Sequence, residues 1–150
     1  MANKIFPNEG LDYLLGVIPK AGTTPANLYL FLFTSQTAST VITATQTLAA
    51  NITEPTYTGY ARVAVASTDW GSAGNSTIWG TASRAVTASQ KSFPANSGTL
   101  YSTAINGFGL ASALTGGVCV YQSSFDDQTA IASLTLGDIC KVTAQFGFAG

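Results

Sequence analysis

Histidine is absent from this 150-residue chain, and only six basic and seven acidic residues occur in it. Histidine carries most acid–base work in enzymes, so its absence excludes Ser-His-Asp, Cys-His and zinc–water mechanisms. Two carboxylate pairs remain. Glu9 and Asp12 fall in the first turn of an expected helix, where the helix dipole favours acids. Asp126 and Asp127 fall in an expected turn between strands, where Asp bonds its own backbone. With no CxxC spacing, Cys119 and Cys140 fit no zinc site. They read as two small buried apolar side chains, with a disulfide between core strands as the sharper alternative. The chain is therefore expected to be no enzyme and to carry neither metal nor cofactor.

Long apolar runs and basic clusters are missing too. Lys4, Lys20, Arg62, Arg84, Lys91 and Lys141 stand singly, so no basic stripe exists to neutralise phosphates, and nucleic acid is not an expected partner. No stretch approaches the roughly 18 consecutive apolar residues of a membrane span, and no apolar run follows Lys4 as a cleaved signal would require. Neither membrane attachment nor export is expected.

Hydrophobic residues make up 46% of the chain and charged residues 9%, against about a quarter charged in ordinary soluble domains. Serine, threonine and glycine must cover the surface. So little charge suits a protein that is packed against neighbours.

PNEGLDYLLGVIPK predicts a short helix with Asn8 as N-cap and Pro19 as its stop. Leu11, Leu14, Leu15 and Ile18 form its apolar stripe, and Tyr13 and Val17 widen it. LYLFLF, from Leu28 to Phe33, predicts a strand buried on both faces. Residues 35–54 are Thr- and Ala-rich, and propensity leaves strand and loop open there. Ala61, Val63 and Val65 alternate with Tyr60, Arg62 and Ala64, as in a half-buried strand. RAVTASQKSF suits a polar edge strand. TLYSTAINGFGLASA, GGVCVYQSSF and DICKVTAQFGF predict three more. In the last, Cys140, Val142, Ala144, Phe146 and Phe148 share the inner face. One all-β domain follows, a β-sandwich or jelly roll over residues 28–150, with an N-terminal arm and short helix over 1–27.

The glycine loops GSAGNS and LTGGVC lack the lysine and helix of a phosphate cradle and read as turns. Tyr57, Tyr60, Trp70 and Trp79 cluster around one polar stretch, where aromatics serve as core lid, sugar platform or protein contact.

Several patches occur in an order that resembles small structural proteins of tailed-phage virions. They are LYLFLFTS after the helix, then EPTYTGYARV with Glu54, Tyr57, Gly59, Tyr60 and Arg62, then Phe93-Pro94 and a turn at Gly98. NGFGLA with Phe108, Leu110 and Ala111, the turn Gly116-Gly117 and the closing LGDICKV complete the series. Leu100 departs from the pattern, which often has tryptophan there, and residues 37–51 match nothing in it. The resemblance implies a virion component made in the host cytoplasm. Its leading form is a head decoration or cement protein that binds the major capsid protein and copies of itself as a dimer or trimer. A minor tail or fibre protein with a carbohydrate-binding surface is the alternative. Ile5, Phe6, Tyr13, Tyr57, Tyr60 and Trp70 are the expected protein-contact residues, with Ile5 and Phe6 anchoring an arm held by a neighbour.

Overall fold

The computed structural model describes residues 4–17, 26–35, 45, 47–76, 83–96, 101–125 and 130–149. The elements run β1 (Lys4–Ile5), α1 (Asn8–Val17), β2 (Asn27–Phe33), β3 (Val63–Ala66), β4 (Gly74–Ser76), β5 (Ser83–Thr87), β6 (Lys91–Pro94), β7 (Gly107–Ala111), β8 (Cys119–Ser124), β9 (Ile139–Val142) and β10 (Gln145–Ala149). The protein is all-β with one short N-terminal helix.

β2 organises the main sheet, whose order is β1-β8-β7-β2-β3 with every pair antiparallel. Its sequence is apolar at consecutive positions, and a strand sends consecutive side chains to opposite faces. Leu30 and Leu32 accordingly enter the principal core. Phe31 and Phe33 enter a second, smaller core with Leu48, Ala111 and Cys119. Both faces are buried, as LYLFLF required. Phe31 lies opposite Gly109 and Phe33 opposite Gly107. A Cβ on either glycine would run into the facing phenyl ring, so the two rings lie over bare backbone of β7. That explains both glycines of NGFGLA.

The opposing layer comprises a three-stranded sheet, β10-β5-β4, and a two-stranded one, β6-β9. They behave as one bent ribbon. Thr87 faces Gln145 and Lys91 faces Val142, so residues 88–90 oppose only residues 143–144. One extra residue on one strand is a β-bulge, which raises local twist and lets a ribbon pass from one sheet to the next. RAVTASQKSF and DICKVTAQFGF were each expected to be one strand; each is two, broken at the same level. β5 also lies between β10 and β4, not at an edge. Cys140, Val142 and Ala144 are buried as alternation predicts, but Phe146 past the bulge is only half-buried. The Phe148 side chain lies outside the described residues. Phe93, Cys140, Val142 and Ala144 from this ribbon meet Leu30, Val65, Leu110 and Val120 of the main sheet in the principal core.

The N-terminal arm differs from expectation. Lys4 and Ile5 pair with Ser123 and Gln122 as an edge strand of the chain's own main sheet. Phe6 places its ring 5.5 Å from Tyr121 and 5.2 Å from Phe146. Ile5 packs on the smaller core and Phe6 on the principal one. Backbone groups on the edge of β8 and an aromatic slot inside the domain hold these residues.

Helix α1 also turns differently. The widened apolar stripe suits a helix covered on more than one face, yet Leu11 and Leu15 are exposed. The buried helical residue is Gly10, and Tyr13, Leu14 and Val17 stand on its face at the next helical positions. A Cβ at Gly10 would collide with the Cys119 and Val120 carbonyls, so the helix backbone lies against β8. Ile18 and Pro19 lie outside the described residues. Asn8 sits within the first turn, and the Pro7 carbonyl accepts from the Gly10 and Leu11 amides. Glu9 does more than complement the dipole: its Oε1 accepts from the Cys119 amide at 2.7 Å and from the Leu48 amide at 2.8 Å. One carboxylate thus joins helix, β8 and the segment that covers the smaller core.

In an ordinary helix Gly→Ala stabilises by up to about 1 kcal/mol. Here Gly10→Ala is expected to destabilise by about 1–3 kcal/mol, because the helix must lift from β8. Urea unfolding measures the sign directly, and a stabilised variant would contradict this docking.

Candidate interaction surface and the network beneath it

Arg62 opens the way from the fold to the candidate surface. Its Nε donates to Glu54 Oε1 at 3.0 Å and its Nη2 donates to the same oxygen at 2.6 Å. Nη1 donates to the carbonyls of Ala113 at 2.7 Å and Gly116 at 2.8 Å, which holds the β7–β8 turn. The guanidinium carbon also lies 5.8 Å from the centre of the Phe31 ring. Tyr60 completes the group: its hydroxyl donates to Glu54 Oε2 at 2.6 Å and accepts from the Leu32 amide at 3.2 Å. Burial first, and the Glu54 carboxylate second, push the Tyr60 phenol upward. EPTYTGYARV is therefore a structural clamp that joins β2, β3 and the β7–β8 turn.

A second clamp sits at the bulge. Asp69, in a 3₁₀ turn over Ser67–Asp69, pairs with Lys91 at 2.7 Å and accepts from the Ala66 amide and the Ser89 hydroxyl. Lys91 above all, helped by that amide and hydroxyl, holds the Asp69 carboxyl down at about 2.

Several expected contact residues are spent inside the fold. Tyr57 is 8% exposed and meets the Tyr60 and Tyr101 rings at 5.5 and 5.3 Å. Burial pushes its phenol up to about 12. Tyr60 stacks on Phe93. The turn before β3 carries the Tyr57 ring into the principal core, against its expected place as a contact residue, and packs the half-buried Tyr60 ring against that core. Trp79, Asp126 and Asp127 lie outside the described residues. Cys119 and Cys140 are free thiols in different cores, Cys119 with Phe31 and Cys140 with Val142. No disulfide joins them. Burial raises both thiols, Cys140 to about 11.

Tyr13 and Trp70 do come together. They line an apolar cavity of about 300 Å³ where α1 meets the open end of the two layers. Val65 and Val120 form its fully buried floor, while Leu14 and Phe146 supply half-buried walls. The sequence flagged Tyr13 and Trp70 separately. Nothing in it showed that two residues 57 positions apart would meet at one hollow.

The family model for the podophage GP4 fiber I protein gp80 matches residues 3–146. The chain belongs to that family. It is a phage structural protein, as the order of its patches implied. A search of curated proteins found no match. Within the fiber-family domain the patch EPTYTGYARV now has a physical role, the Glu54–Arg62–Tyr60 clamp.

Arg62→Lys keeps the charge but loses the planar fork that reaches Glu54, Ala113 and Gly116 together. Its expected cost is about 2–4 kcal/mol in urea unfolding. Asp69 supplies the pH dependence. Its folded value, about 2, lies below the ordinary 3.8, so its contribution is full above about pH 4 and is lost as pH falls through about 2. An NMR carboxyl titration should find that low midpoint, and Asp69→Asn should flatten the fall in stability between pH 4 and 2.

Proposed function

We propose that the domain is a fibre component of a podophage tail and works as an assembly module that holds neighbouring virion proteins. The single observation that carries this reading is the family match over nearly the whole chain, to a protein described as a fiber protein. Side-chain chemistry supports it. Glu9, Glu54, Arg62, Asp69 and Lys91 are all engaged in holding elements of the fold together, and Arg84 bonds Asn75 and the Ala73 carbonyl beside it. Groups committed in this way position structure. Its partners on this reading are other fibre or tail subunits and copies of itself. With few charges, adhesion rests on apolar contact and hydrogen bonding shared over many neighbours.

A phage carrying an early stop codon in this gene tests the assignment. Cryo-electron microscopy of its particles should show density missing from the tail, with DNA retention on heating equal to that of the parent phage. Density missing from the capsid exterior, together with DNA release at lower temperature, would replace the fibre reading by the cement one.

A further inference from the structure

The cavity beside α1 is more than a packing gap. Its floor, Val65 and Val120, is fully buried. Its walls, Tyr13, Leu14, Trp70 and Phe146, are only half-buried, and Ala26 and Ser67 are exposed at its rim. A hollow with a buried floor and accessible walls opens to the surface. Interiors close-pack and seldom leave voids much larger than a water molecule, whereas small-molecule sites start at about 300 Å³. This one has about 300 Å³.

We infer that this cavity binds a small, flat, apolar molecule, an aromatic ring system of two fused rings or a compact hydrocarbon. The lining chemistry selects that class. Three aromatic rings, those of Tyr13, Trp70 and Phe146, offer faces and edges for stacking. Among the described lining residues, the only polar side-chain groups are the hydroxyls of Tyr13 and Ser67 and the indole N–H of Trp70. Burial raises the Tyr13 phenol, which keeps it neutral and able to donate one hydrogen bond. A sugar, with a hydroxyl on nearly every carbon, would leave most of those groups unpaired here, at a cost the site cannot return. Among the described residues no group lining the hollow carries a charge, which disfavours anions and cations as ligands. The inference is independent of where the protein sits on the particle.

N-phenyl-1-naphthylamine, whose fluorescence rises in apolar surroundings, serves as the probe on the folded full chain. The expected result is saturable binding of one dye per chain, with Kd on the order of 10 μM, and a higher melting temperature at saturating dye. Ala26→Trp and, separately, Ser67→Phe narrow the mouth from exposed positions that the core does not need. Each should weaken binding at least tenfold while melting stays unchanged. Leu136→Ser removes an exposed leucine outside the lining and should leave binding as it was. Non-saturable binding, loss of binding in Leu136→Ser, or undiminished binding in both rim variants would overturn the assignment.

Discussion

Everything in this fold follows from one strand that is apolar on both faces. Leu30 and Leu32 point one way from β2, and Phe31 and Phe33 point the other. Burying such a side chain stabilises by about 1.5–3 kcal/mol, so leaving either face in water would forfeit much of a domain's net stability. The chain therefore needs two covers. The bulged ribbon of β5, β6, β9 and β10 supplies the first. For the second, Leu48 and Ile52 come from a Thr-rich segment and join Ile5 and Tyr29. Thr34 and Thr53 bond through their backbones, and the Thr53 amide donates to Ser35 Oγ, which brings that segment alongside the end of β2.

Charge in this protein is rare and is placed at joints. Glu9 answers two backbone amides that would otherwise lack an acceptor at the start of β8 and in the smaller cover. Glu54 and Arg62 join the strand pair β2–β3 to a distant turn, and Asp69 and Lys91 join the 3₁₀ turn to the bulge. Each of these half-buried carboxylates has at least two hydrogen-bond partners. Few charges on the outside then leave a surface of hydroxyls and scattered leucines.

The same economy shapes the N-terminus. An arm read as a tether to another subunit is instead a strand and an aromatic plug of its own domain. The reason is local: β8 presents an open edge, Ile5 and Gln122 pair on it, and Phe6 fits between Tyr121 and Phe146. With the arm in place, α1 must lie against β8, and Gly10 lets its backbone do so. Leu11 and Leu15 are left outside by that docking, and the cavity is left beneath Tyr13 and Leu14.

Residue order by itself determined the all-β class, the helix, the two-faced β2 and the membership of a phage structural protein. Each rests on short-range information: strand and helix periods, turn glycines, and the order of short sequence patches. Tertiary structure alone decided which side of the helix is buried, because Gly10 contributes nothing to an apolar stripe and everything to close approach. It also broke two apparent strands at one bulge, since a bulge is a relation between partners that neither segment carries alone. Tyr57 and Tyr60 went inward and Trp70 and Tyr13 met across the chain for the same reason: their neighbours are set by strand pairing, over separations that local sequence does not encode.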